Sequence, residues 1–390
     1  MNFEQIHNRW NTDSAKWDGA SAIFGGKELH PMWVADMDFQ VPEAVQKALI
    51  EKAQHGIYGY PHVPDSTYES IINWLLNRHN WNIEREWLSF SAGVVPAISI
   101  LINALTEPGD KIIIQPPVYF PFFKMVEKND RQLSLNTLKE KNGRYEMDFE
   151  QLESIIDEET KMLILCNPHN PVGRVWTKEE LKRLGDICVK HNIIIVSDEI
   201  HGDLIFDGHK HIPFASISKE FAEITVTCMA PSKTFNLAGL QASYMIIENE
   251  QIRKKVNDQK VKQGMFHLNT FGLVGMEAAY QYGEQWLDHL LKYVEENVKT
   301  VVDFVQEQLP ELQVIKPEGT YLIWIDCRSL GLDYKQLEKQ LITEGKLALN
   351  QGYTFGETGK GFVRMNVATP KQHVLDGLDR LKMFVKSVRS

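Results

Sequence analysis

The sequence predicts an α/β protein: a large, mostly parallel sheet with helices on both faces (an α/β/α domain), followed by a smaller α+β unit. Three observations predict it. Short β-rich runs alternate with helical stretches from about residue 87 to 247. Several of those runs are apolar throughout, as in strands covered on both faces, where a half-exposed sheet would alternate. Beyond a long amphipathic stretch that stops at Pro310, the pattern changes to strand, helix, strand, helix. Alternation of the first kind gives parallel sheets.

The elements follow in order. Strands are expected at 87–90, 111–115, 162–166, 193–197, 224–229 and 242–247. The helix at 95–105 ends in Glu107-Pro108-Gly109-Asp110, a strong stop. The helix at 178–190 is entered through Thr177 with Glu180 three residues on, a capping box in which side chains satisfy the first free amides. An amphipathic helix at 284–309 is expected to bridge two units. The smaller unit then contains strands at 321–326 and 362–366 and helices at 334–344 and 370–388. The large domain is read as residues 50–285. The small one comprises 1–49 and 286–390, so both chain ends build it.

A chain of 390 residues can bury a substantial core. A formal charge of −10 argues against a nucleic-acid binder, which needs a basic surface. Met1-Asn2-Phe3-Glu4-Gln5 offers neither a positive region nor an apolar stretch, so no secretory leader is expected. No apolar run reaches membrane-spanning length, and no membrane partner is expected. Cys166, Cys188, Cys228 and Cys327 are scattered without a Cys-x-x-Cys pair, and Cys166 and Cys228 end apolar runs as buried thiols do. The expected compartment is the cytoplasm.

Chemistry concentrates in five places. Asp198 ends the apolar run 193–197, and a carboxylate buried there needs a cation. A protonated pyridine nitrogen is such a cation, and it makes pyridoxal 5'-phosphate an electron sink. The same Asp also reads as a helix cap or turn. Lys233 lies in Ala230-Pro231-Ser232-Lys233-Thr234-Phe235-Asn236 beside an apolar strand, where desolvation lowers a lysine's pKa enough to make it a nucleophile for an aldehyde. Asn170, in Asn167-Pro168-His169-Asn170-Pro171, is placed to bond a cofactor ring oxygen, although Asn-Pro forms turns in any case. Ser91-Ala92-Gly93-Val94-Val95 leads from strand to helix, and helix-start amides attract phosphate, with Gly93 permitting close backbone approach. Arg364, on the otherwise apolar strand 362–366, suits a bidentate grip on an amino-acid α-carboxylate, or is an ordinary edge-strand arginine. His201, His209 and His211 are close in sequence but lack helix-spaced ligand geometry, so no metal is expected.

Together these residues resemble the fold-type I pyridoxal phosphate enzymes of the aspartate-aminotransferase superfamily across essentially the whole chain. Within it the chain is most similar to the MalY/PatB-type carbon–sulfur lyases, or cystathionine β-lyases. The likeness rests on Pro31-Met32-Trp33-Val34-Ala35-Asp36-Met37-Asp38-Phe39, Gly56-Ile57-Tyr58-Gly59-Tyr60, Gln115-Pro116-Pro117-Val118-Tyr119 and Ser197-Asp198-Glu199-Ile200-His201. The resemblance implies that Tyr119 stacks on the cofactor ring and that Tyr60 reaches the phosphate of a neighbouring subunit in a homodimer. It also places Ala35, Asp36 and Tyr119 near substrate. Three positions depart from the aminotransferase pattern: His201 stands for a tyrosine that bonds the ring oxygen, Ala230 for a phosphate-binding serine, and Gln241 for a phosphate-binding arginine. Ser232 and the amides of Gly93, Val94 and Val95 are then the candidates for the phosphate. The implied reaction is β-elimination on an L-cysteine S-conjugate such as cystathionine. Two alternatives stay open on sequence alone: an aminotransferase, which shares every step through proton abstraction, and a regulatory binding protein that keeps the fold without turnover.

Overall fold

The computed structural model describes residues 2–389. Seven strands form the large sheet in the order Leu88–Ser91, Ser243–Ile246, Thr225–Met229, Ile194–Asp198, Thr160–Cys166, Lys111–Ile114 and Gln132–Leu135. The five from Thr225–Met229 to Gln132–Leu135 are parallel neighbours, and Ser243–Ile246 runs against both of its partners. The six strands expected from apolar runs are present, with ends shifted by a residue or two. The seventh, Gln132–Leu135, escaped because it is an edge strand with exposed Gln132 and Leu135 and no continuous apolar run.

Central strands are buried on both faces: all five residues of Thr225–Met229 are inaccessible, and Met162 to Leu165 are fully covered. Helices supply the cover. Val94–Leu105 buries Ala97, Ile98, Leu101 and Ile102 against the sheet. Lys178–Lys190 starts in the capping box of Thr177 and Glu180. The 25-residue helix Glu284–Gln308 buries Leu287, Leu290, Val294, Val298, Val301 and Val305, a three-to-four-residue spacing that makes one apolar stripe. The stripe belongs to an apolar cluster that reaches from Phe235 and Met276 to Leu322 and Phe384. A second, antiparallel sheet has the order Gln313–Ile315, Leu322–Asp326, Phe362–Asn366, Asn350–Gln351.

The N-terminal segment is tied down by a separate two-stranded ladder and by side chains. His30–Pro31 pairs in parallel with Leu347–Ala348. Residues 33–39 then have no sheet partner, and side chains take over their backbone groups. The Asn236 amide accepts from Met37 N–H at 3.0 Å and donates to the Met37 and Phe39 carbonyls. The Asn366 amide donates to the Val34 and Asp36 carbonyls, both at 2.6 Å. An ion cluster locks the outer side: Lys16 Nζ lies 2.6 Å from Asp38 and 3.7 Å from Asp36, while Arg9 reaches both carboxylates.

Burial alone pushes the Asp38 carboxyl up, but Lys16, Trp17 and Arg9 outweigh it and hold it at about 2. A depressed carboxyl stabilises the fold above its unfolded value of about 4 and loses that contribution as the pH falls towards 2. Lys16 is 1% exposed, so Lys16→Met leaves Asp38 short of its nearest cation. We predict a loss of about 3 kcal/mol in urea unfolding at pH 7, shrinking as the pH falls below 4.

Candidate active site

Three neighbouring parallel strands end at one level. Cys166 faces Asp198 and Asp198 faces Cys228 across the ladder. The chain leaving these ends carries Asn170, Asp198 itself and Lys233, so residues far apart in sequence meet at the carboxyl edge of the sheet, where open α/β sheets bind ligands. A cavity of about 220 Å³ opens there. Gly93, Val94, Val95, Tyr119, Asn170, Asp198, His201, Ser232, Lys233 and Ala35 all line it.

Asp198 is 4% exposed, and its carboxylate accepts from Ile200 N–H at 3.2 Å, the long end of the hydrogen-bond range. Burial pushes its carboxyl up to about 7, against which the Ile200 bond and Lys233 act only partly. The two buried carboxylates beside it differ. Glu199 accepts from Ser197, His211 and Phe214 N–H, and Asp203 accepts from Trp74, His79 and Thr234. Asp198 alone of the three faces the cavity short of donors.

Lys233 sits in the short helix Pro231–Thr234, and its Nζ donates to the Ala35 carbonyl at 2.6 Å. Burial and the nearby Arg364 charge bring its pKa down to about 8, with Asp36 and Asp198 opposing. Ala35 also accepts from the Tyr321 hydroxyl at 3.0 Å, so the segment strapped by Asn236 and Asn366 forms the wall over the lysine.

Arg364 does not line the cavity itself but reaches Asn170, which does. Its guanidinium donates to the Asn170 Oδ1 at 2.9 Å, the Trp33 carbonyl at 3.0 Å and the Asn350 Oδ1 at 2.5 Å, and its buried Nε has no partner. All of these partners are neutral, and burial lowers its pKa to about 10. Asn350 and Tyr321 belong to the site without a sequence signal, since neither stands in a distinctive motif. Asp36 does not line the cavity; it adjoins Ala35 and is held by Arg9, and its charge is felt by Lys233.

The opposite end is the start of helix Val94–Leu105, whose N-cap has no side-chain hydrogen bond. Gly93 has φ 168°, an extended backbone open to any residue. A Cβ there would meet the Pro96 ring at an ordinary 3.4 Å. Neither left-handed geometry nor crowding within the chain therefore requires glycine, and any such need lies on the cavity side. Among the described residues no arginine lines the cavity; Gln241 does, with Ser232. The buried His201 ring is held well below its usual pKa by burial and by Lys233 and Arg364, and is neutral. Tyr60 is elsewhere: it is 95% exposed and leans on His267. Cys166, expected as a buried thiol, is one, and it also lines the cavity.

This arrangement fits pyridoxal phosphate. It presents a donor-poor buried carboxylate for a cationic ring nitrogen, an amine of lowered pKa for an aldehyde, and an uncapped helix start for a phosphate. Fold and site define a fold-type I enzyme: residues 33–381 match the family aminotransferase class I and II, and the chain belongs to it. Cystathionine beta-lyase PatB of Bacillus subtilis (strain 168) is 46% identical over 98% of this chain and 99% of that protein. Among solved structures, a PLP-bound protein of Clostridium difficile 630 superposes with a TM-score of 0.97 at 50% identity, covering 98% of this chain and 99% of that one. The PLP-bound C–S lyase of Staphylococcus hominis does so with 0.92 at 33% identity, covering 99% and 98%.

Two predictions follow from these charges. Only the neutral Lys233 amine attacks an aldehyde, so capture of pyridoxal phosphate by cofactor-free protein accelerates about tenfold per pH unit up to about 8 and levels off above it; stopped-flow absorbance reads this directly. A raised carboxyl favours the fold when protonated, so the cofactor-free protein loses stability as the pH rises from about 4 towards 7. Asp198→Asn removes that component in calorimetry across the range, while lowering turnover by roughly 100-fold or more.

Proposed function

We propose that this chain is a pyridoxal phosphate-dependent carbon–sulfur β-lyase acting on L-cysteine S-conjugates such as cystathionine, in the cytoplasm and as a homodimer. One observation carries the reading: Lys233, with its lowered pKa, shares a site with Arg364, a buried cation whose hydrogen-bond partners are all neutral. An amino acid brings the missing carboxylate to Arg364 and its Cα hydrogen towards the lysine.

When bound, pyridoxal phosphate supplies an electron sink for the charge left at Cα. The chain's residues do the rest. Asp198 would hold the ring nitrogen, Tyr119 would lie against the ring, and Asn170 with His201 would serve the ring oxygen. Ser232 and the Gly93, Val94 and Val95 amides would hold the phosphate. Arg364 grips the substrate carboxylate, with Ala35 and Asp36 beside the substrate. Lys233 Nζ removes the Cα proton, the Cβ–S bond breaks with its electron pair on sulfur, and the thiolate leaves. Water completes the balance: thioether amino acid plus water gives thiol, pyruvate and ammonia.

The similarity to a protein named cystathionine β-lyase and to a C–S lyase structure supports elimination over amino-group transfer. The dimer is supported by an exposed apolar surface, with Ile57 69%, Tyr58 55% and Tyr60 95% accessible, which a second copy would cover while bringing Tyr60 to its neighbour's phosphate. Buried, unpaired cysteines suit a reducing compartment, and no helix among the described residues is long and apolar enough to cross a membrane. The division into a large unit of residues 50–285 and a small one from both ends remains part of this proposal.

The test is purified protein with pyridoxal phosphate and L-cystathionine, without keto acid. Repeated release of pyruvate and thiol in equal amounts is expected. Lys233→Ala is expected to abolish both that release and the absorbance of the lysine-bound cofactor. Amino transfer only after a keto acid is added would make the protein an aminotransferase, and full activity of Lys233→Ala would remove the lysine from the reaction.

A further inference from the structure

Behind the cavity wall lies a buried polar group that the reaction does not use. Asp203, 5% exposed, takes three hydrogen bonds from two elements. Trp74 Nε1 donates to its Oδ1 at 3.0 Å, His79 Nε2 lies 2.7 Å from the same oxygen, and the Thr234 hydroxyl donates to Oδ2 at 2.7 Å. Trp74 and His79 belong to helix Asp65–His79. Thr234 is the residue after Lys233 and is itself fully buried.

Position gives the cluster its meaning. Asp203 lies in the loop that leaves the Asp198 strand, and Thr234 ends the short helix that carries Lys233. Their hydrogen bond therefore joins the segment bearing the ring-nitrogen partner to the segment bearing the lysine. The His79 ring meets the His211 ring edge-on at 5.3 Å, and His211 is bonded to Glu199 at 2.8 Å, so the cluster is backed by the residue next to Asp198. A four-residue helix has one turn of its own to hold its shape; the buried Phe235 and the Asn236 strap anchor the chain just after it, and the Thr234 bond is the tie from the turn itself to the loop that leaves the Asp198 strand.

We propose that Asp203 is a positioning residue: through Thr234 it fixes the Lys233 turn relative to Asp198. His79 and Trp74 orient the carboxylate for that bond. The inference rests on Lys233 being the lysine that binds the cofactor. Small misplacements of a reacting group cost large factors in rate without weakening substrate binding, which separates positioning from mere support.

The experiment compares Thr234→Val, Thr234→Ser and Asp203→Asn holoenzymes with wild type. It reads kcat and KM, the pH midpoint of the lysine-bound cofactor absorbance, and the thermal midpoint. Thr234→Val, which keeps shape and loses the donor, is expected to lower kcat about 10-fold or more with KM within roughly twofold. The same variant shifts the absorbance midpoint by about half a pH unit or more. Asp203→Asn follows it, and Thr234→Ser, which keeps the hydroxyl, restores wild-type values. A fall in thermal midpoint alone, with kcat and absorbance midpoint unchanged, would overturn the proposal, as would a serine variant that behaves like valine. Loss of the absorbance band in wild type itself would overturn the Lys233 reading along with it, whereas a normal wild-type band with unaffected variants overturns only the positioning role.

Discussion

The site is organised around a carboxylate that the protein buries and leaves short of partners. Water solvates a carboxylate far better than a protein interior does, and a fold tolerates the loss only when donors or a cation replace it. Glu199 and Asp203 obey that rule with three hydrogen-bond partners each. Asp198, just ahead of them in sequence, does not. Its raised pKa comes from burial that the Ile200 bond and Lys233 offset only in part, and the cavity it faces has room for a cation beside it. The same logic operates in mirror image at Arg364, a buried cation surrounded by neutral groups and therefore short of an anion.

The sheet makes this arrangement possible. Because Thr160–Cys166, Ile194–Asp198 and Thr225–Met229 are parallel and in register, their carboxyl ends place Asn170, Asp198 and the Lys233 turn side by side. The second sheet contributes Arg364 from Phe362–Asn366, whose neighbour Asn366 holds the wall segment 33–39. One strand thus supplies both the buried Arg364 guanidinium and the strap that keeps Ala35 over the lysine.

Much of this was legible in the sequence because the relevant signals are local. Continuous apolar runs mark doubly covered strands, and a charged residue that ends such a run, as Asp198 does, or follows it closely, as Lys233 does, stands out against them. Ten of the named candidates line one cavity. What escaped depends on tertiary contact. Gln132–Leu135 is too polar to read as a strand. Asn350 and Tyr321 carry no motif, and they matter only because antiparallel pairing sets Asn350 opposite Arg364 and packing brings the Tyr321 hydroxyl to Ala35. Tyr60 is the reverse case: a residue noticed in sequence that this chain holds at its surface, away from its own cavity. Gly93 lines the cavity with an extended backbone, so any need for glycine there concerns how closely a ligand approaches from the cavity side.

The central claim is that Asp198 exists to keep a cofactor nitrogen cationic. It is tested most directly by ¹⁵N NMR of the holoenzyme reconstituted with pyridoxal phosphate labelled at the ring nitrogen. The account predicts a protonated nitrogen in the wild-type protein at neutral pH, lost when Asp198 is replaced by Asn. An unprotonated nitrogen in the wild type, or a signal indifferent to that replacement, would contradict it.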